Sequence, residues 1–235
     1  MRLPIPLALE AAAVRAAGSL SRVAGRGGGT TLPGKLLWKL DPGAIDVLAR
    51  RLPRGSVLVS ATNGKTTTTA MVAEILAPRL RVAHNGSGAN LVSGIASTLL
   101  RAGGAELGLF EVDEAALPEV ARRVEPKALL LGNLFRDQLD RYGELEIVAA
   151  RWRDAVAALP GAELVVNGDD PQVGALARPG RGRVFGLDDP RVARPALQHA
   201  ADSKYCLRCG TPYAYAAAYV GHLGDYRCPN CGHAR

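Results

Sequence analysis

Residues 57–68 read Val-Leu-Val-Ser-Ala-Thr-Asn-Gly-Lys-Thr-Thr-Thr, and this stretch decides the fold. An apolar strand runs into a short polar turn, and Gly64-Lys65-Thr66 then opens a helix. Backbone N–H groups at such a helix N-terminus face an anion, and the lysine reaches the outer phosphates of a nucleotide. The stretch therefore predicts a phosphate-binding loop, although Val59 stands where the strict motif has glycine; the alternative is a Gly-Lys-Thr that merely begins a helix. The predicted nucleotide-binding residues are Thr62, Asn63, Gly64, Lys65, Thr66 and Thr67.

A second stretch, Gly29-Thr-Thr-Leu-Pro-Gly-Lys35, also satisfies the Gly-x₄-Gly-Lys pattern. Leu36 replaces the Ser or Thr that would bind magnesium, and glycines rather than an apolar strand precede it. Because so many glycines are costly to order, we predict a flexible loop here and no nucleotide site.

Strands and helices alternate from residue 55 to residue 187, which predicts an α/β fold: a mostly parallel phosphate-loop sheet with helices on both faces. The predicted strands are Val57–Ser60, Leu80–His84, Leu107–Asp113, Lys127–Asn133, Glu163–Asn167 and Arg183–Gly186. The predicted helices are Lys65–Ala77, with Met71, Val72, Ile75 and Leu76 on one side, then Asn90–Arg101 and Glu144–Leu159, with Trp152 in the core.

Polar residues follow several of these strands, and parallel strands present their carboxyl ends, where ligands bind, at one edge. Glu111 lies inside or at the end of an apolar strand, so it should have a cation, and we predict Mg²⁺ held by Thr66 and Glu111. The alternative is an ordinary helix N-cap at Asp113, which accounts for that residue but leaves Glu111 unexplained. Asn167 either faces an adenine edge or makes a turn, and Asp137 and Asp140 belong either to a site or to a solvated turn.

Four cysteines form two Cys-x₂-Cys pairs with 18 residues between them, the spacing of a tetrahedral Cys₄ zinc site. The predicted zinc ligands are Cys206, Cys209, Cys228 and Cys231, and disulfides are the alternative. A site closed by four protein ligands is structural, which leaves His222 and His233 without a metal role. In so small a ribbon, Tyr213, Tyr215, Tyr219 and Tyr226 are expected to supply its apolar packing.

Length and composition set the remaining bounds. The chain of 235 residues can hold one sizeable domain and a small one, and we divide it into a lead-in segment (1–54), a nucleotide-binding domain (55–200) and a zinc ribbon (201–235). Its net charge of +7 is spread out, with a loose cluster from Arg178 to Arg194, so we expect no nucleic-acid partner. No apolar run is long enough to span a membrane. We interpret residues 7–24 as an amphipathic helix rather than a signal peptide, and the protein as cytoplasmic.

The stretch from Val59 to Thr68 resembles the ATP loop of the Mur ligase family, and Asn133-Leu-Phe-Arg-Asp-Gln-Leu-Asp-Arg-Tyr-Gly-Glu144 resembles its MurT-type branch. The segment ending Thr31–Lys35, the loop Asn85–Asn90, the run Asn167–Pro171 and the Cys₄ ribbon also match that branch.

This resemblance implies a chain that binds ATP, Mg²⁺ and structural Zn²⁺ and pairs as a heterodimer with a GatD-type glutamine amidotransferase. Such proteins activate a carboxylate of the peptidoglycan precursor lipid II, that of its D-glutamate, as an acyl phosphate at the inner face of the membrane. Ammonia from the partner then displaces phosphate. Lys65 and Glu111 would be the catalytic residues, stabilising the transferring phosphoryl group through charge rather than as nucleophiles.

The chain departs from the family pattern at several points. Ala61 stands where the family usually has glycine. Gln138 replaces the histidine of amino-acid-adding members, which favours amidation over a Mur or folylpolyglutamate-type amino-acid ligase. The sequence stops four residues after Cys231, whereas the family continues into a further domain, so we expect a truncated chain that is unable to act alone. A zinc-ribbon phosphate-loop ATPase that binds nucleic acid is the alternative from another class.

Overall fold

The computed structural model describes residues 9, 12–14, 31–86, 89–136, 145–177, 180–194, 197 and 202–235. Its centre is a six-stranded sheet of order β2-β3-β1-β4-β5-β6, in which every registered pair is parallel. The strands are β1 (Ser56–Ser60), β2 (Val82–His84), β3 (Leu107–Glu111), β4 (Ala128–Leu131), β5 (Glu163–Asn167) and β6 (Arg183–Phe185). All six predicted strands and the α/β class are confirmed, with ends shifted by a few residues.

Helices connect the strands and precede the sheet. They are α1 (Leu32–Leu40), α2 (Ala44–Ala49), α3 (Lys65–Leu76), α4 (Val92–Arg101), α5 (Leu117–Val124), α6 (Leu145–Ala158) and the single turn α7 (Pro171–Gly174). Right-handed crossovers place α3 on the opposite face of the sheet from α4, α5 and α6. The contacts agree, since α3 packs on β1 and β3 while α5 packs on both α4 and α6. Helices therefore cover both faces, as predicted.

The core lies between the sheet and the layer formed by α4, α5 and α6. Helix α6 contributes its predicted stripe, since Leu145, Val148, Trp152 and Val156 are all buried. Trp152 is fully buried and donates its indole N–H to the carbonyl of Glu114 at 2.9 Å. The expected core position of Trp152 is confirmed.

Helix α3 corrects one detail of the sequence analysis. Of the four apolar residues expected on one side of this helix, Val72 and Leu76 are half-buried, whereas Met71 is 56% exposed and Ile75 is 73% exposed. Thr69 is instead the buried residue of this helix.

Residues 32–35 also differ from the prediction, which was a flexible loop, because they form the start of helix α1. Pro33 lies in the first turn of α1, and the N–H of Gly34 donates to Ser97 Oγ of α4 at 2.7 Å. A Cβ at Gly34 would come within 1.8 Å of the carbonyl oxygen of Ser93, so the glycine serves close packing of two helices. Leu37 is fully buried in the same core as the sheet. The boundary drawn at residue 54 remains a prediction.

The four-cysteine segment folds as an antiparallel hairpin of β7 (Ala214–Val220) and β8 (Leu223–Arg227). Tyr213, Tyr219 and Tyr226 are buried. Tyr213 and Tyr226 form a small cluster with Cys206 and Cys228, and Tyr215 packs against it. The tyrosines therefore act as packing residues, as expected.

Some predictions fall outside the described residues. Of the helix expected over 7–24, residues 9 and 12–14 are described and helical, and Val14 is buried. Asp137, Gln138 and Asp140 are not among the described residues. Within the described part of the chain, every helix is too short or too polar to cross a bilayer.

Candidate nucleotide and metal sites

Three central strands end side by side at the edge that carries the candidate site. Beyond β1, the N–H of Thr62 donates to the carbonyl of Asn133 at 2.7 Å. Between β1 and β3, Ser60 Oγ donates to the carbonyl of Val112 at 2.8 Å. The methyl group of Ala61 lies against Gly132, where an added Cβ would approach it to 2.7 Å. The loop after β1 is thus fixed to both neighbouring strands, and alanine in place of the family glycine fits there because residue 132 has no side chain.

Asn133 holds this loop with its side chain. Its Oδ1 accepts the N–H of Asn63 at 2.9 Å, and its Nδ2 donates to the carbonyl of Asn63 at 3.1 Å. The N–H of Phe135 donates to Thr62 Oγ1 at 3.0 Å. Segment 133–135 is therefore the scaffold on which residues 62–63 rest.

The loop enters α3 through Gly64, whose φ of +84° lies in the left-handed region that favours glycine. The next residue, Lys65, turns its ammonium group back over the loop, donating to the carbonyl oxygens of Ala61 and Thr62. It also forms an ion pair of 2.8 Å with Glu114 Oε2, and both side chains are nearly buried. Thr66 and Thr67 are exposed in the first turn of α3.

Glu114 is a residue to which the sequence analysis gave no role. Its carboxylate pairs with Lys65 and its carbonyl accepts the indole N–H of Trp152. The sequence feature that could have identified Glu114 is its position, three residues after Glu111 and beyond the end of an apolar strand. Whether Glu111 or Glu114 faces Lys65 depends on how β3 and the start of α3 pack in the folded domain. Local sequence pattern therefore could not decide between the two.

Glu111 is 2% exposed and ends β3. Asn90 Nδ2 lies 3.5 Å from its Oε1, while Oε2 has no hydrogen-bond partner among the described residues. Its backbone is held by Asn85, whose side chain accepts the N–H of Glu111 and donates to its carbonyl. A buried carboxylate oxygen without a partner is costly, so this position fits a cation.

Asn167 is buried at the end of β5, and its Oδ1 accepts the N–H of Asp169 at 3.0 Å. The side-chain oxygen thus makes a turn, the second of the two possibilities raised above, and its contact with adenine remains a prediction. Three residues after Asn167, the carboxylate of Asp170 caps α7 by accepting the N–H groups of Gln172 and Val173.

The four cysteine side chains converge in the hairpin. Their sulfur atoms all lie within 4.8 Å of one another, with 3.5 Å between Cys206 and Cys231 and 3.4 Å between Cys209 and Cys228. All four cysteines are free thiols in this structure rather than paired in disulfides. Zn–S bonds of about 2.3 Å in a tetrahedron require sulfurs about 3.8 Å apart, so this cluster fits a metal of that kind.

The backbone around the cysteines turns so that its N–H groups approach the sulfur atoms. Gly210 and Gly232, each following a second cysteine, have φ of +72° and +73°. The N–H of Arg208 points at Cys206 Sγ and that of Cys231 at Cys228 Sγ, at 3.4 and 3.5 Å. Such N–H contacts stabilise thiolates, the form in which cysteine binds metal.

The two histidines of the ribbon have partners besides the cysteines, although His233 Nδ1 also lies 3.9 Å from Cys206 Sγ. His233 Nδ1 lies 2.6 Å from the hydroxyl of Tyr213. His222 is fully buried, with Nε2 3.2 Å from Asp170 Oδ2. Burial raises the pKa of Tyr213 above its usual value, so its phenol stays protonated.

Three described arginines of the expected basic cluster, Arg181, Arg183 and Arg191, have separate side-chain partners. Arg181 donates to the carbonyls of Val156 and Leu159 at the end of α6. Arg183 pairs with Glu163 at 3.1 Å, and Arg191 pairs with Asp189 at 2.6 Å. These side chains serve local contacts rather than one basic face.

A parallel sheet with a Gly-Lys-Thr loop after its central strand defines a class of α/β domains that present a phosphate-binding loop at the sheet edge. The chain belongs to the Mur ligase family, whose middle domain matches residues 59–205.

Relatives with curated names lie in the same family. The chain is 34% identical over 88% of its length to the lipid II isoglutaminyl synthase (glutamine-hydrolyzing) subunit MurT of Streptococcus pneumoniae, and 32% identical over 92% to that of Staphylococcus aureus. It spans 47% and 49% of those two proteins, about half their length. A pseudomurein peptide ligase type C from Methanothermus fervidus has the same fold, with a TM-score of 0.65 at 23% identity over 81% of this chain and 38% of that one.

Proposed function

We propose that this chain is the ATP-binding part of a ligase that amidates a carboxylate of the peptidoglycan precursor. The observation that carries the proposal is the loop of residues 61–65, clamped by Asn133 beside the buried, partly unpaired carboxylate of Glu111. The names of the relatives, each a subunit of a lipid II isoglutaminyl synthase, support the choice of substrate.

In this proposal the triphosphate of ATP lies against the backbone N–H groups at the start of α3. Lys65 releases Glu114 and turns to the outer phosphates, because a triphosphate is a stronger anionic partner than one carboxylate. Thr62, Asn63, Gly64, Thr66 and Thr67 complete the cradle, and the amide nitrogen of Asn167 remains the candidate for the adenine edge.

Magnesium fits the same place. Glu111, with its free buried oxygen, and Thr66, in the first turn of α3, would hold it. When bound, Mg²⁺ neutralises charge on the phosphates. Asn85 holds the backbone of Glu111, and Asn90 Nδ2 lies near one oxygen of its carboxylate, which leaves the other oxygen available to a cation.

The reaction then needs positioning and charge rather than a nucleophilic side chain. A carboxylate oxygen of the precursor attacks the γ-phosphorus of ATP, the bond to the β-phosphate oxygen breaks, and ADP leaves. The nitrogen of ammonia attacks the acyl carbon of the resulting acyl phosphate; phosphate leaves, a proton is released and an amide remains. Lys65 stabilises the charge that develops in the first step.

The same proposal covers the wider assembly. Ammonia would come from a glutaminase partner of the GatD type, since the relatives are named glutamine-hydrolysing subunits. The acceptor would be the D-glutamate carboxylate of lipid II, reached from the cytoplasmic side. The four cysteines would hold a structural zinc ion, because all four positions of a tetrahedron are taken by protein. No nucleic acid is involved.

The test supplies the full-length ligase subunit, of which this chain would be the ATP-binding part, with Mg·ATP, lipid II and an ammonium salt in place of the partner, and follows ADP and product mass. We expect ADP formation that requires both lipid II and ammonium. The product should be lipid II in which the hydroxyl of one carboxyl group is replaced by an amino group, giving an amide. A product enlarged by an added amino acid would indicate an amino-acid ligase instead. Nucleotide binding without any lipid II-dependent ADP formation would overturn the proposed activity of this chain.

A further inference from the structure

We propose that the tip of the four-cysteine hairpin positions the phosphate-binding loop, with His222 as the positioning residue. The inference rests on the proposed nucleotide site and adds to it a role for the ribbon. It starts from a buried histidine that neither the metal cluster nor the nucleotide loop uses directly.

His222 lies in the turn between β7 and β8, and its side chain is completely buried against the parallel domain rather than within the ribbon. Its Nε2 is 3.2 Å from Asp170 Oδ2, and its ring lies 4.8 Å from the ring of Phe135. Neither ring nitrogen has a hydrogen bond of normal geometry within the described residues. Burying a polar ring so incompletely paired is costly, which suggests that the placement serves something other than stability.

The hairpin tip touches the domain at further points. Gly221 has a φ of +59°, and a Cβ there would come within 2.7 Å of the Phe135 ring. The N–H of Gly224 donates to the carbonyl of Asp169 at 3.0 Å. The tip thus packs directly against segment 133–135 and against the end of β5.

Asp170 joins these pieces. Its Oδ2, the oxygen nearest His222, also accepts the N–H of Leu134 at 2.8 Å. One residue along, Phe135 donates its N–H to Thr62 Oγ1. Segment 133–135 therefore lies between the hairpin tip on one side and residues 62–63 of the loop on the other.

This arrangement makes loop geometry depend on the ribbon. Without the tip, Phe135 loses the ring that packs on it and Asp170 loses its fully buried neighbour, so segment 133–135 gains freedom. Loop residues that rest on that segment then lose part of their order, and nucleotide binding must restore it at a cost in affinity.

The experiment compares three variants of the chain by calorimetric titration with Mg·ATP, with zinc content measured on each. His222→Leu keeps bulk but removes the polar contact, His222→Gln retains a polar group, and Val220→Thr alters an exposed position of the same hairpin. We expect His222→Leu to keep its zinc and bind Mg·ATP about tenfold more weakly, His222→Gln to recover most of the affinity, and Val220→Thr to match wild type.

A double-mutant cycle tests the route. If His222 acts through Phe135 and Thr62, the effects of His222→Leu and Thr62→Val on affinity should overlap, while those of His222→Leu and Thr66→Val should add. Should His222→Leu lose zinc, Phe135→Leu tests the same contact from the domain side and is expected to weaken binding similarly.

Unchanged affinity in zinc-replete His222→Leu, or in Phe135→Leu, would overturn the inference and leave the proposed nucleotide site intact. Additive effects of His222→Leu and Thr62→Val would do the same. A wild-type chain that binds no Mg·ATP would instead overturn the proposed function and this inference with it.

Discussion

The side-chain amide of Asn85 pairs with both backbone polar groups of Glu111, accepting its N–H at 2.8 Å and donating to its carbonyl at 2.7 Å. Strand β2 ends one residue earlier, at His84, so Asn85 continues the ladder on β3 with its side chain. The strand end that carries the carboxylate proposed to bind magnesium is thereby fixed at the edge of the sheet.

We predict that Asn85→Ala destabilises the fold by about 2–4 kcal/mol, because it leaves two buried backbone groups of Glu111 without partners. Urea unfolding measures this change. Asn90→Ala, which removes one long contact to Glu111, is the matched control and should cost less than about 1 kcal/mol. A loss no larger for Asn85→Ala than for the control would show that the amide does not hold the strand end.

Gly34→Ala should destabilise the fold by about 1–3 kcal/mol, since the new methyl group would overlap the backbone of α4 and force the two helices apart. Gly103→Ala is the control, because a Cβ there meets nothing within 4 Å. Thermal unfolding compares the two. If both variants melted at the same temperature, the packing of α1 on α4 would be wrong.

Glu119 gives a pH dependence with a definite sign. Burial opposes its ionisation, but hydrogen bonds from Arg122 and Arg123 outweigh burial and hold its pKa below the usual value. A lowered folded-state pKa stabilises the fold above the unfolded pKa, and this is lost as pH falls through the folded pKa.

Glu119→Gln should therefore lower the free energy of unfolding by about 0.5 kcal/mol at neutral pH, a small value because the side chain is more than a third exposed and screened by solvent. The difference should vanish under acid conditions in urea titrations from pH 7 to pH 2. A difference that grew in acid would contradict the assigned pair.

The ribbon should contain about one zinc ion per chain, measured by atomic emission. Its four convergent thiolates supply the four ligands of one tetrahedral zinc ion. Cys206→Ser combined with Cys228→Ser should abolish zinc binding, whereas Tyr205→Phe, at an exposed neighbour, should retain it. Finding no zinc in wild-type protein purified without chelators would reject the metal site.

Much of this architecture follows from local pattern. The run from Val57 to Thr68 predicts a strand, a turn and a helix, and the stripe on α6 marks its buried face correctly. The cysteine spacing predicts the convergence of four sulfurs, because two knuckles on one hairpin can meet in few ways. The family resemblance agrees with the match over residues 59–205.

Other features depend on neighbours that are distant in sequence. Gly34 looked like part of a flexible segment, yet it permits α1 to pack on α4, a contact made 63 residues away. Met71 and Ile75 of α3 are exposed, although apolar residues at helical spacing ordinarily mark a buried face. The pairing of Lys65 with Glu114 rather than Glu111, and the insertion of His222 beside Asp170, arise where separate strand ends meet.

The central claim is that the loop opened by Lys65 binds the phosphates of ATP, and calorimetric titration with Mg·ATP tests it most directly. Lys65→Ala is compared with Lys35→Ala, the lysine of the other Gly-x₄-Gly-Lys stretch, which lies exposed on α1. Lys65→Ala should weaken binding between about tenfold and about 100-fold, as the loss of a charged hydrogen bond requires, and should abolish ATP turnover by the complete enzyme. Lys35→Ala should bind as wild type does. Equal affinity in Lys65→Ala and wild type, or a loss confined to Lys35→Ala, would contradict the account.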